Sequence, residues 1–207
     1  MTSNDYAVHL DCAACKPDDA ENSCIIDSWV GVLRNIHWPV SLTKQDSQNY
    51  SANLQRINCG PLYLIMYCSD PIIAKREGKV GSAGSESHFT FNYINKGRLS
   101  VDHNNQITDL SKGDFVIADN SLPSTIEFLS KAQTFSIRIP AKLLGIYIDN
   151  PRLLCNQIPS GGTLYRGVLK ELFFCLWRQC EDGATEESQK AVINTFLSFL
   201  AISFETG

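Results

Sequence analysis

The stretch FTFNYINKG, Phe89 to Gly97, decides the fold. Phe89, Phe91 and Tyr93 alternate with Thr90 and Asn92. That period of two marks a half-buried strand, and Asn95-Lys96-Gly97 closes it with a turn signal. Outward from this stretch the same period recurs. Leu62, Leu64 and Met66 alternate with Tyr63, Ile65 and Tyr67; Ile126 and Phe128 flank Glu127; Phe135, Ile137 and Ile139 flank Ser136 and Arg138. Between these runs lie His103-Asn104-Asn105, Ser111-Lys112-Gly113-Asp114 and Asp119-Asn120-Ser121-Leu122-Pro123, residue types that favour tight turns. Short strands separated by such turns over residues 53–139 predict an antiparallel barrel or sandwich.

On either side the period becomes helical. Ile25, Ile26, Trp29, Val30, Leu33 and Ile36 fit a helix that Pro39 ends. Downstream, Tyr165, Val168, Leu169, Leu172 and Leu176 make one helical stripe, and Leu164, Phe173, Phe174 and Trp177 a second beside it. After Glu181-Asp182-Gly183, Thr185 is placed to cap a further helix, with Glu186 and Glu187 at its positive end. That helix carries Val192, Ile193, Phe196, Leu197, Phe199, Leu200 and Phe204. The expected division is a flexible leader (1–23), a barrel with an N-terminal helix (24–145) and a helical subdomain (146–207). The fold class is mainly β with α. Both C-terminal helices are apolar over more of their circumference than one buried face needs. Leu169, Leu172, Phe173, Leu176, Phe196, Phe199 and Leu200 are therefore candidates for a dimer contact. A purely intramolecular helical layer is the alternative.

Composition narrows the function classes. No apolar run reaches the ~18 residues of a membrane span. The leader, with Asp5, Asp11, Asp18 and Asp19, lacks the basic start and apolar centre of a signal peptide. A cytoplasmic location is expected. The 18 basic residues are scattered among 22 acidic ones, a net charge of −4, and no concentrated basic face is available to hold nucleic acid. Of the eight cysteines, Cys68, Cys155, Cys175 and Cys180 sit beside apolar runs and read as reduced core thiols for the most part.

Catalytic signatures are weak. The histidines are His9, His37, His88 and His103, with no His-x-His pair to begin a metal triad. His9, Cys12, Cys15 and Cys24 have spacings that zinc accepts, yet they lie in a polar leader without the strand-turn setting of a zinc module. Incidental thiols and a redox switch are the competing readings. There is no Gly-x-Ser-x-Gly elbow, and the loop Gly78 to Gly84 lacks the Lys-Ser/Thr ending of a phosphate loop. No metal or other cofactor is expected.

Five pieces occur in a telling order. They are Trp29-Val30-Gly31-Val32-Leu33, Ile72-Ile73-Ala74-Lys75-Arg76, the strand running from Phe89 into Gly97, the Leu-x-x-Gly-Asp-Phe-Val-Ile-x-Asp run from Leu110 to Asp119, and Arg138-Ile139-Pro140. In this order the chain resembles the ligand-binding domain of AraC/XylS-type transcription activators, the branch that senses aromatic acids, amines and nitriles in particular. The resemblance implies a cupin-like antiparallel β-barrel followed by a helical hairpin, a small organic effector such as an aromatic acid or amine, and a homodimer. It also implies DNA contact only through two helix-turn-helix modules that follow the hairpin in that family. Gly207 leaves no residues for them, so the sensor part alone is expected here. Gly113-Asp114 reads as turn chemistry.

The residues offered for effector binding are Arg76, His88, Phe89, Phe91, Tyr93, Ile117, Phe128 and Arg138. Phe89, Phe91 and Tyr93 share one strand face, and Ile117 and Phe128 extend an apolar wall. Arg76 and Arg138 suit a carboxylate through paired hydrogen bonds, while His88 and Tyr93 offer donors. The bland alternatives are a plain aromatic core and solvated arginines. Which strand face looks inward is left open. The expected mechanism is a population shift in which effector repacks the hairpin. The competing functions are a stand-alone cupin enzyme, such as a metal-dependent isomerase or oxygenase, and a dimerisation module without a ligand.

Overall fold

A computed structural model describes residues 6–11, 27, 29–31, 33, 40–44, 50–77, 87–158 and 162–205. Among them, eleven strands form two antiparallel sheets. The first runs in the order β1 (Tyr6–Asp11), β3 (Ser51–Cys59), β4 (Leu62–Ser69), β11 (Ala132–Pro140), β6 (His88–Lys96) and β9 (Phe115–Asp119). The second runs β2 (Ser41–Lys44), β5 (Ile72–Arg76), β10 (Ser124–Phe128), β7 (Arg98–His103) and β8 (Gln106–Ser111). They face each other as a cupin-like jelly roll. A short helix, Ala141–Leu144, and a tight turn, Pro151–Leu154, lead to a helical hairpin of Gly162–Glu181 and Glu186–Glu205.

Turn chemistry fixes the register. Asn104 and Asn105 both have positive φ, 55° and 59°, the two-residue connection that matches strand twist. They join β7 to β8. Gly97 sits at φ 85°, and a Cβ there would stand 2.5 Å from the Lys131 carbonyl oxygen, so only glycine passes. Asp114 accepts bonds from the Ser111 amide and hydroxyl at 2.8 and 2.9 Å. Its other oxygen pairs with Arg166 at 3.0 Å, so this turn also anchors the hairpin. Thr185 caps the second helix through the Ser188 amide at 3.3 Å.

The six-stranded sheet is buried on both faces, and this divides the core in two. Between the sheets lie Leu54, Ile65, Ile94, Val101, Val116 and Phe128, with Trp29 packed among them. Trp29 is helical, as expected, and wholly buried. Between the first sheet and the hairpin lie Leu64, Phe91, Phe115, Ile137, Phe173 and Phe196. Aromatic contacts knit this second layer: Phe91 meets Phe196 edge-on at 5.4 Å, and Phe135 meets Trp177 at 5.4 Å.

Three expectations need correction. Residues 6–11 of the supposed flexible leader are strand β1, paired along its length with β3. The edge of β3 supplies a backbone template that polar composition does not forbid. Second, Leu169, Phe173, Leu176, Phe196 and Leu200 are completely buried within the single chain, because the first sheet offers the hairpin a second apolar surface. Leu172 and Phe199 are partly buried, the latter stacked on Tyr165 at 5.5 Å. Third, Cys180 is no free thiol: it forms a disulfide with Cys59, with Cα atoms 5.8 Å apart. Cys68, Cys155 and Cys175 remain thiols.

Candidate functional site

The space between the sheets contains a cavity of about 100 Å³. Its walls are mostly aliphatic, with Leu54, Ile65, Ile94, Val101, Val116 and Ile126 among them. Polar side chains enter from both sheets: Thr90, Asn92, Thr134, Ser136 and Tyr67 from the first, Arg76 and Ser124 from the second, with Asn120 in the turn after β9. On β6 and β11 the polar residues facing the cavity are Thr90, Asn92, Thr134 and Ser136, beside Ile94. Their chain neighbours Phe91, Tyr93, Phe135 and Ile137 point into the hairpin core. Alternation along a two-faced sheet produces this division.

The polar groups form one chain of hydrogen bonds. Ser136 donates to Asn92 Oδ1 at 2.7 Å. Asn92 donates to the Thr90 carbonyl at 3.4 Å, and Asn120 Nδ2 donates to the Thr90 hydroxyl at 2.8 Å. Arg76 completes the chain. Its guanidinium donates to Asn120 Oδ1 at 3.2 Å and to the carbonyls of Leu122 and Asp119 at 3.0 and 3.1 Å. Arg76 is 5% exposed, and burial pulls its basicity down to about 10. The group stays cationic near neutral pH, held by neutral acceptors and by the charge of the nearby Asp119 carboxylate.

Behind Arg76 lies a polar latch. His103 is buried, with Nδ1 3.1 Å from the Pro123 carbonyl and Nε2 accepting the Asp119 amide at 2.9 Å. These partners assign a neutral ring protonated at Nδ1, and burial lowers its pKa. Burial pushes the Asp119 carboxyl up, but the Ser121 hydroxyl and amide, with Arg152 at 2.7 Å, more than offset this, so it sits below the ordinary carboxylate range. Burial pushes the nearby Cys155 thiol up to about 12, which leaves it inert. At the other end, Tyr67 accepts from Trp29 Nε1 at 2.9 Å and stacks against that ring at 5.6 Å. Trp29 is thus fastened to β4 by its own indole.

Of the eight residues proposed for effector binding, Arg76 and Phe128 line the cavity. Phe89, Phe91, Tyr93 and Ile117 do not: they belong to the layer beneath the hairpin. Arg138 and His88 touch each other, with Nη2 3.3 Å from Nδ1. Arg138 lies two positions beyond Ser136 on the cavity side of β11, beside the Tyr63 ring at 5.9 Å, outside the cavity lining. Sequence reasoning missed Thr90, Asn92, Asn120 and Ser136. Thr90, Asn92 and Ser136 are small polar residues inside otherwise apolar strands, a pattern that marks a second face without saying which face holds the space. Among the described residues no three His, Cys, Asp or Glu side chains converge on a common point. Cys12, Cys15 and Cys24 lie outside the described residues, and the backbone of His9 stands in β1. No helix among the described residues is long and apolar enough to cross a membrane.

The outer side of the first hairpin helix carries an open groove formed by Leu164, Val168, Leu172 and Cys175, with Glu171 and Arg178 along it. Leu164 is 75% exposed.

A family model described as the AraC-binding-like domain matches residues 29–204. No curated protein matches the chain. Among solved structures, the AraC-like transcriptional activator CuxR superposes with a TM-score of 0.75 at 14% identity, covering 97% of this chain and 70% of that one. KdgF from a Halomonas species matches 48% of this chain and 86% of its own at 13% identity, with a TM-score of 0.36. An RmlC-like cupin from Shewanella frigidimarina matches 44% of this chain and 78% of its own at 18% identity, with a TM-score of 0.34.

Proposed function

Because the chain belongs to the AraC-binding-like domain family, we propose that it is the effector-sensing and dimerisation domain of an AraC-type transcription activator, acting in the cytoplasm through a further DNA-binding domain. The observation that carries this reading is the cavity, apolar on most sides and reached by one hydrogen-bonded arm that ends in the buried cation Arg76. Amides, hydroxyls and a guanidinium bind and orient a guest. None of them exchanges protons near neutral pH, so the site suits recognition better than catalysis.

Size and charge define the guest. A space of about 100 Å³ is near the ~150 Å³ that holds benzene and below the roughly 300–1,000 Å³ of drug-sized pockets. An acid with one ring or a short chain fits, its carboxylate toward Arg76 and Asn120 and its apolar part toward Val101 and Phe128. Arg138 and His88 lie farther along the same strand faces, outside the cavity lining.

The cavity and the hairpin share one wall. Effector that reorders Thr90, Asn92 or Ser136 shifts Phe91, Tyr93 and Phe135 on the reverse side, and the hairpin must follow. A second copy covers the groove of the first hairpin helix. Glu171 and Arg178 lie two turns apart on that stripe, so an antiparallel copy sets each glutamate against the partner's arginine.

Thermal shift with a panel of small acids, their amides and amines tests the reading. An acid at 100 times its Kd adds about 2.7 kcal/mol, a rise in Tm of roughly 5–10 °C. Val116→Phe, which fills the cavity, removes that shift. If no member of the panel stabilises the domain, or Val116→Phe binds as well as the parent, the cavity is not the effector site.

A further inference from the structure

We propose that Cys59 and Cys180 form a reversible thiol–disulfide lock that fastens the helical hairpin to the first sheet. Cys59 is the last residue of β3 and Cys180 lies in the last turn of the first hairpin helix. They are 121 positions apart in sequence yet 5.8 Å apart at Cα, within the span a disulfide bridges. The neighbouring turn lies beside the second helix: a Cβ at Gly60 would stand at van der Waals distance, 3.7 Å, from Ile193 Cδ1. Gln55 reaches Glu181 from the same strand at 3.4 Å. The bond therefore ties the end of the first hairpin helix to the end of β3, beside a turn that the second helix also adjoins.

The fold tolerates both redox states. Two reduced thiols pack as small apolar groups, and the aromatic layer of Phe91, Phe135, Phe173 and Phe196 holds the hairpin without the bond. Access comes from the helix end. Cys59 is fully buried and Cys180 is 8% exposed, followed at once by the exposed Glu181, Asp182 and Gly183, so fraying of the last turn uncovers Cys180 first. In a reducing compartment the dithiol is the resting state, and a disulfide there is transient and regulatory.

The oxidant is hydrogen peroxide. The Cys180 thiolate attacks one peroxide oxygen, the O–O bond breaks, and hydroxide leaves and takes up the thiol proton as water. The Cys59 sulfur then attacks the sulfenic acid, the S–O bond breaks, and a second water leaves carrying the Cys59 proton. Two thiols supply two electrons and two protons; one peroxide becomes two waters. The consequence for signalling rests on the effector-sensing reading: a fastened hairpin cannot follow the shared wall. The lock itself does not rest on that reading.

The test uses the full chain without effector, so its failure is separable from failure of the cavity. Reduced protein is treated with peroxide, alkylated without reduction, digested and mapped. The expected product is a cross-linked peptide containing Cys59 and Cys180, reversed by dithiothreitol on the folded protein. Closing a loop of this length raises Tm by about 10 °C in a 207-residue chain, and amide exchange slows in the last turns of the first hairpin helix. Cys59→Ser and Cys180→Ser lose the shift, whereas Cys175→Ser keeps it. If the serine variants do not fold, the oxidised and reduced parent decide alone. Both thiols still alkylated after peroxide, equal Tm in the two states, or a bond that dithiothreitol opens only after unfolding would each overturn the lock.

Discussion

Arg76→Gln separates a cation held for a guest from one held for the fold. Burial lowers the Arg76 guanidinium from 12.5 to about 10, equivalent to about 3 kcal/mol against the charged form in the folded domain. Removing the charge returns that cost. Against it stands the loss of hydrogen bonds, but two of the three acceptors have other donors. Asn120 Oδ1 keeps the Thr90 hydroxyl at 3.1 Å and the Asp119 carbonyl keeps the Leu122 amide at 3.2 Å. The Leu122 carbonyl loses its guanidinium donor, at about 1–3 kcal/mol. The two contributions nearly cancel, so urea unfolding of Arg76→Gln stays within about 2 kcal/mol of the parent, or roughly 6 °C in Tm. Binding behaves differently. A desolvated carboxylate that loses its cation weakens by 2 kcal/mol or more, about 30-fold. Titration calorimetry with a cavity-binding acid and its primary amide reads this directly: the acid weakens and the amide does not. A stability loss above about 4 kcal/mol with acid binding unchanged would refute the reasoning, because Arg76 would then be part of the scaffold.

Three further outcomes follow from the same geometry. His103 has a folded pKa lowered by burial, so its contribution is complete above the unfolded value of about 6.5 and is lost as pH falls from there toward the folded pKa, with a limiting slope of about 1.4 kcal/mol per pH unit. Tm measured from pH 7.5 to 5 should fall in the parent and flatten in His103→Gln, and equal slopes would show that the ring does not titrate against folding. Phe173→Ala removes a fully buried ring from contacts with Phe135 and Tyr93; it should cost about 3–5 kcal/mol, or roughly 10 °C in Tm, without changing the oligomeric state. In the proposed dimer, Glu171→Arg should weaken self-association in sedimentation equilibrium, and adding Arg178→Glu should restore it; self-association indifferent to both changes would use another surface.

Much of the barrel was legible because period-two alternation and turn residues act locally. Phe89–Tyr93, Leu62–Tyr67 and Phe135–Ile139 are strands where the alternation placed them, and Asn104-Asn105 is the turn its residue types require. The cavity face was not legible. Alternation says that two faces exist, and on a sheet covered on both sides each face is buried, so aromatic content decides nothing. Bulky rings filled the tightly packed layer, and small polar side chains took the side with space. Helical width had the same ambiguity: Phe173 and Phe196 demanded burial, but the first sheet met that demand before any second copy was needed. In β1 the run Tyr6-Ala7-Val8-His9-Leu10 does alternate, and the acidic residues after it obscured the signal. The Cys59–Cys180 pair has no local signature, since only tertiary approach brings the two residues together.

The sheet between cavity and hairpin makes coupling hard to avoid. Phe91 and Asn92 are consecutive, as are Phe135 and Ser136, and each pair shares one stretch of backbone across which a guest meets the aromatic layer. Close-packed interiors do not absorb displacement, so a shift large enough to re-form the Ser136–Asn92 bond moves the rings on the far side. Such coupling is reciprocal. Whatever fixes the hairpin, whether a disulfide at Cys59 or a second copy on the Leu164–Arg178 groove, must change cavity affinity by the factor with which the guest changes that restraint. Acid affinity measured in the oxidised and reduced domain therefore weighs the wall itself: a ratio of one would mean that cavity and hairpin, despite their common strands, are energetically separate.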